Sequence, residues 1–159
     1  MVIMSPKNLQ LSHEAVSSMI SHAETGYPYE ICGALLGNDK DKDRLIAETF
    51  PLANMKENQR ETRYLISPDS VFLAEKEAKQ KGLELLGFYH SHPDHPSMPS
   101  EYDKEHAFPW YSYLILSVEK GKFQKLTAWE LKEDRSMFMP CTIKGKNDGF
   151  DEILQKSHD

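Results

Sequence analysis

The residues best equipped for chemistry lie in one stretch, Gly87 to Asp103, which reads GFYHSHPDHPSMPSEYD. His90 and His92 stand two apart at the end of an apolar run. Alternate residues of a strand point to the same side, so both imidazoles can face one ion. Ser100 and Asp103 are three apart at the start of an expected helical turn, hence neighbours on one helical face. Two histidines and a carboxylate, His90, His92 and Asp103, leave the fourth tetrahedral position of a Zn2+ ion for water, the open arrangement of a catalytic site. Such an ion, one per chain, brings the pKa of its water down to roughly 7. Amide hydrolysis needs a base as well, because the attacking water must lose a proton that later reaches the leaving amine. Glu30, between Tyr29 and Ile31 at an expected strand start, is a candidate whose partial burial would raise its pKa toward the working range. The residue pattern alone does not separate it from the other acids.

Taken singly, each feature has a plainer meaning. A His-x-His pair is weak evidence, and Ser100-x-x-Asp103 also satisfies a helix capping box. Glu30 by itself would be a solvated carboxylate at a strand end. His90 to His95 also matches the H-x-H-x-D-H signature of metallo-β-lactamases. That fold needs further ligands downstream, and only His106 and His158 follow. Zinc deaminases require a P-C-x-x-C segment, which is absent. Asp94 and His95 are then loop residues near the mouth of the site.

The elements that must position these residues can be outlined from the pattern. Leu11–Thr25 reads as a helix with Ser12 as N-cap and Ala15, Val16, Met19, Ile20 and Ala23 at helical spacing. Its histidines, His13 and His22, are expected at the surface. Glu30–Gly37, EICGALLG, reads as a buried strand turning at Gly37-Asn38, with Arg44–Leu52 as its hairpin partner. The mixed charges from Asn38 to Arg44 suggest a solvated turn. Ala53–Thr62 reads as a loop and Arg63–Ile66 as a short strand. Ser67-Pro68-Asp69 opens a helix to about Gly82, with Val71, Leu73, Ala74 and Ala78 inward. Leu83–His90 is the most apolar strand, after which Pro93, Pro96 and Pro99 stiffen the loop. Two strands, Tyr111–Val118 and Phe123–Leu131, meet at Gly121, and Ser136–Ile143 supplies an edge strand. Helices interleaved with hairpins and crossovers imply an α/β fold with one mixed sheet.

Composition sets the outer limits. At 159 residues with 39% hydrophobic content, one domain with a real core is expected. A net charge of -6 argues against nucleic-acid or anionic-membrane partners, which need a basic face. Two distant cysteines, Cys32 and Cys141, exclude a disulfide framework, and neither sits in a setting that would make it reactive. With no signal-like N-terminus and no bilayer-length apolar run, a cytoplasmic protein is expected.

The order His90-Ser91-His92, seven residues, Ser100, two residues, Asp103, with Glu30 upstream before an apolar strand, resembles the JAMM motif of MPN-domain metalloproteases. The resemblance covers roughly Glu14 to Leu131. It implies a single MPN domain over residues 1–143, a mixed curved β-sheet flanked by helices and cytidine-deaminase-like; residues 144–159, by their own polarity, read as a C-terminal tail with at most a short helix around Phe150–Gln155. It also implies that His90, His92 and Asp103 hold zinc, that Glu30 is the general acid/base and that Ser100 helps to stabilise the oxyanion. The compact chain is most similar to the stand-alone prokaryotic members. The expected substrate is then a ubiquitin-like or sulfur-carrier protein cut at its Gly-Gly end. A ubiquitin-directed isopeptidase and a non-catalytic MPN scaffold are the alternatives. MPN-like sheets often associate, which leaves a homodimer open. A Gly-Gly tail is thin enough to add as a strand to an exposed sheet edge, and Asn54–Tyr64 is the segment expected to order around it. Phe108, Trp110, Tyr111 and Tyr113 read as core and rim packing rather than a recognition platform, with Trp110, after Pro109, also placed where it could touch substrate.

Overall fold

The computed structural model describes residues 6–54 and 64–145. In chain order these form β1 (Asn8–Leu11), α1 (His13–Gly26), β2 (Cys32–Lys40), β3 (Asp43–Leu52), α2 (Pro68–Gln80), β4 (Glu84–Pro93), α3 (Glu101–His106), β5 (Ser112–Glu119), β6 (Lys122–Leu131), β7 (Phe138–Cys141) and β8 (Ile143–Gly145). The strands make one mixed sheet in the order β7-β6-β5-β4-β2-β3-β1-β8. The two edge strands, β7 and β8, are separated in sequence only by Thr142, whose carbonyl accepts from Leu9 N at 2.8 Å. The sheet therefore curls until its ends nearly meet.

Alternation along the strands sorts side chains into two cores. One face packs Leu35, Leu86, Tyr89, Leu114 and Leu116 against Ala15, Val16, Met19 and Ala23 of α1. The other packs Ala34, Leu36, Phe88 and Tyr113 against Ala74 and Ala78 of α2. Each fully buried Val, Leu or Met contributes about 1.5–3 kcal/mol, so these stripes hold both helices to the sheet. Both helices start where their caps dictate: the side chains of Ser12 and Ser67 accept from Ala15 N and Ser70 N, and Pro68 occupies the first turn of α2. Leu73 does not face inward as expected. It is 53% exposed, because the inward line of α2 runs through Ser70, Ala74 and Ala78.

Several boundaries differ from the sequence expectation. β2 continues through Gly37-Asn38 to Lys40, and the chain reverses at Asp41, whose φ is 48°. Arg44 is no solvated turn residue; it is 1% exposed. Its guanidinium donates to Asp39 Oδ1 at 3.1 Å and to Ser112 Oγ at 2.9 Å, and lies 4.1 Å from the ring centroid of Trp110. Pairing with a carboxylate, a hydroxyl and an aromatic face makes that burial tolerable. Trp110 thus packs on Arg44. The expected edge strand 136–143 is split between opposite edges of the sheet, and β8 carries pairing to Gly145. Tyr64–Ile66 is not a strand. Residues 55–63 of the expected substrate loop, and the tail beyond Gly145 with its expected helix, lie outside the described residues. No helix among the described residues is long and apolar enough to cross a membrane.

β4 pairs antiparallel with β2 and parallel with β5, so it lies deep within the sheet. Gly87 allows the second pairing, since a Cβ there would overlap the backbone carbonyl of Ser112. Backbone cannot step aside as a flexible side chain can. Gly87→Ala is expected to cost about 3 kcal/mol of stability, at the upper end for overpacking. Denaturant unfolding of the metal-free variant measures it, and a loss under 1 kcal/mol would contradict this packing.

Candidate metal centre

β4 positions the two histidines. Phe88, His90 and His92 occupy alternate places on it, so the imidazoles emerge on the α2 side of the sheet while Tyr89 points to α1. The β2–β4 register reaches Cys32 opposite His90, and the pairing continues beyond it. Ser91 N donates to the Ile31 carbonyl at 3.1 Å, and Ile31 N donates to Ser91 Oγ at 2.9 Å. One further step places Glu30 beside His92. Glu30 is 4% exposed, and Asn54 Nδ2 donates to its backbone carbonyl at 3.0 Å.

Asp103 arrives from α3. Ser100 is the N-cap of that helix: its hydroxyl accepts from Asp103 N at 3.0 Å, and Asp103 Oδ2 accepts from Ser100 N at 2.8 Å. This capping box aims the carboxylate at the sheet. Asp103 Oδ1 lies 3.2 Å from His90 Nε2, Oδ2 lies 3.2 Å from His92 Nε2, and the two Nε2 atoms are 3.1 Å apart. The structure therefore brings Glu30, His90, His92, Ser100 and Asp103 into one place. Ser100 is the exposed member of the group.

The donor set fits a small divalent ion. Zinc bonds of about 2.0–2.1 Å in tetrahedral geometry put neighbouring ligand atoms about 3.3 Å apart, close to the three separations observed. The carboxylate and ligand nitrogens of Glu30, His90 and His92 also lie within 4.8 Å of one another, so these three residues could themselves hold a metal ion. His92 Nδ1 sits 2.8 Å from the Pro96 carbonyl. That bond assigns the proton to Nδ1 and leaves the Nε2 lone pair facing the site. His90 Nδ1 is buried and has no hydrogen-bond partner among the described residues.

Electrostatics reflect the crowding. Burial lowers the pKa of His90, against the pull of the Asp103 carboxylate. Burial also disfavours charged His92, but Asp103 and the Pro96 carbonyl outweigh it and raise its pKa. Burial opposes ionised Asp103 in turn, yet His90 and then His92 hold its carboxyl well below the usual range. Cys32, on the same face, is an inert core thiol pushed up to about 12 by burial first and by Glu30 second. Cys141 is likewise pushed up to about 12 by burial.

Three contacts around the site escaped the sequence reading, which named Asn54, Tyr64 and Pro96 only as parts of loops or of a short strand. The Tyr64 ring stacks on His90 at 4.3 Å and 22°. The Pro96 carbonyl holds His92, and Asn54 links the Glu30 carbonyl to Leu65 N. No short-range pattern marks any of them. An apolar cleft of about 450 Å³, lined by Leu65, Val71, Phe88, Phe108 and Tyr111, shares Tyr64 as a wall. Asp94 is a structural clamp, accepting from Lys120 N at 2.8 Å and from the Tyr27 hydroxyl at 2.6 Å. His22 is half-buried against the Tyr89 hydroxyl at 2.7 Å, whereas His13 is exposed as expected.

Known proteins supply the family. Residues 12–132 match the model of the prokaryotic homologs of the JAB domain. A desampylase of Haloferax volcanii is 35% identical over 121 residues, 73% of this chain and 85% of that protein. A probable TtuB-protein conjugate cleaving protease of Thermus thermophilus is 34% identical over 76 residues, 48% of this chain and 51% of its own. The solution structure of protein DSY2949 from Desulfitobacterium hafniense superposes with a TM-score of 0.77 at 31% identity, covering 95% of this chain and 98% of that one. With the mixed, nearly closed sheet and a buried carboxylate–imidazole cluster on its α2 side, these likenesses lead to one conclusion: the chain belongs to the prokaryotic JAB-domain family and is a hydrolase of the JAMM type.

Proposed function

We propose that this hydrolase is a zinc peptidase that cuts the amide bond following the Gly-Gly end of a ubiquitin-like protein, in a conjugate or in a C-terminally extended sulfur carrier. The observation that carries the metal half of the reading is the triangle of His90 Nε2, His92 Nε2 and Asp103 oxygens, with sides of 3.1–3.2 Å. The substrate half is supported by the relatives, one named a desampylase and one a conjugate cleaving protease. Zinc bound there would supply Lewis acidity and lower the pKa of a water.

The chain's own residues then have separate tasks. His90, His92 and Asp103 hold the ion, with the Pro96 carbonyl fixing the His92 tautomer. Glu30 takes a proton from the attacking water and returns it to the leaving amine nitrogen. Its carboxylate is desolvated and lies within 4.8 Å of a ring nitrogen of each histidine. Ser100 is exposed at the cap of α3, where its hydroxyl can donate to the oxygen that gains charge as the carbonyl is attacked.

Incubating the zinc-loaded chain with ubiquitin-like carriers extended beyond Gly-Gly, and with an isopeptide-linked conjugate, tests the reading by intact mass. Products ending at Gly-Gly are expected, with a slower rate for Ser100→Ala. Zinc bound without any cleavage would refute the assigned substrate. No zinc bound at all would favour a scaffold domain.

A further inference from the structure

A histidine that ligates a metal normally donates its second ring N–H to an acceptor, which sets the angle of the ring. His92 obeys this rule through the Pro96 carbonyl. His90 does not: its Nδ1 is buried and unpartnered among the described residues. Something else must hold the plane of that ring. The flat neighbour is Tyr64, 6% exposed, whose ring lies 4.3 Å from the imidazole centroid and 22° from parallel.

We propose that Tyr64 is the positioning residue of His90, fixing the imidazole by face-to-face stacking where its partner histidine uses a hydrogen bond. This inference rests on the metal reading above. The stack has a second benefit, because an imidazole bound to a cation carries positive character, which the electron-rich face of a tyrosine favours. Tyr64 is itself tied to the rest of the site. Its carbonyl accepts from the Tyr102 hydroxyl at 2.7 Å, and Tyr102 directly precedes Asp103 on α3. On its other side, Leu65 N donates to Asn54 Oδ1 at 3.0 Å, while Asn54 Nδ2 donates to the Glu30 carbonyl. The ring plane of His90, the Asp103 carboxylate and the Glu30 backbone are thereby set in one frame.

The test compares Tyr64→Phe, Tyr64→Leu and Tyr113→Leu in the full chain. Zinc affinity is read by chelator competition, the ligand field by the visible spectrum of the cobalt form, and folding by unfolding of the metal-free proteins. Leucine keeps the site dry and apolar but has no flat face, so it separates stacking from exclusion of water. Tyr64→Phe is expected to bind zinc within about threefold of the native chain, and Tyr64→Leu to lose about 10- to 100-fold with an altered cobalt spectrum. Tyr113→Leu removes a buried tyrosine of the same core whose ring meets Phe88 and Phe138 rather than His90, and should lower stability while leaving affinity unchanged. Native affinity in Tyr64→Leu, or equal losses in the Phe and Leu variants or in Tyr113→Leu, would overturn the assignment. If Tyr64→Leu does not fold, Tyr102→Phe removes only the hydroxyl that anchors Tyr64, and is expected to weaken zinc binding severalfold; an unchanged affinity there overturns the proposal. Failure of the native chain to bind zinc would instead overturn the reading of the centre itself.

Discussion

Replacing Glu30 by glutamine is expected to slow cleavage by about 10²- to 10⁴-fold, the range for loss of a general base, with zinc affinity changed by less than about tenfold. Glutamine keeps the size and hydrogen-bonding reach of the carboxylate, so the strand junction beside Ser91 should be undisturbed. What it cannot do is take up a proton. Single-turnover cleavage followed by mass, beside chelator competition for zinc, separates the two readouts. Because Glu30 lies within 4.8 Å of both histidine ligand atoms, the opposite result has a clear meaning. Loss of zinc together with activity would place Glu30 in the coordination shell and remove it as the base.

Asp103→Asn should abolish cleavage and weaken zinc binding by more than about 100-fold, beyond what outer-shell changes produce. The carboxylate has two duties, touching both Nε2 atoms and accepting from Ser100 N at the start of α3. Asparagine retains an oxygen for the second duty but loses the charge needed for the first. Alanine loses both. The metal-free Asn variant is therefore expected to be more stable than the Ala variant by about 1 kcal/mol, the usual worth of a helix cap. Equal denaturation midpoints for the two would mean that the capping bond contributes nothing. Retained zinc affinity in either would remove Asp103 from the ligand set.

Much of the candidate metal centre was legible because it is local. Two residues apart on a strand is one face, and three apart at a helix start is one cap, whatever the remainder of the chain does. Ser12, Ser67 and Pro68 marked the starts of α1 and α2 for the same reason. Less legible was any element whose existence depends on a distant partner. Asn8–Leu11 is four residues long and carries little pattern, yet it becomes a strand because β3 and β8 flank it in parallel. Arg44 looked like a surface charge and is buried, since Asp39, Ser112 and Trp110 meet around it. Leu73 looked like core and is exposed, since the sheet accepts only the small-residue stripe of α2.

Residue order alone carried the donor types, their spacing along β4 and α3, and the α/β class with its mixed sheet, because periodicity and capping are properties of short segments. It took the folded sheet to bring Glu30 beside His92, to set β7 and β8 at opposite edges that nearly meet, and to rest His92 on a carbonyl and His90 on a tyrosine ring. Those contacts join residues brought together by sheet register and curl. Neither register nor curl is written in the spacing of any one segment, because both result from all the strands packing at once.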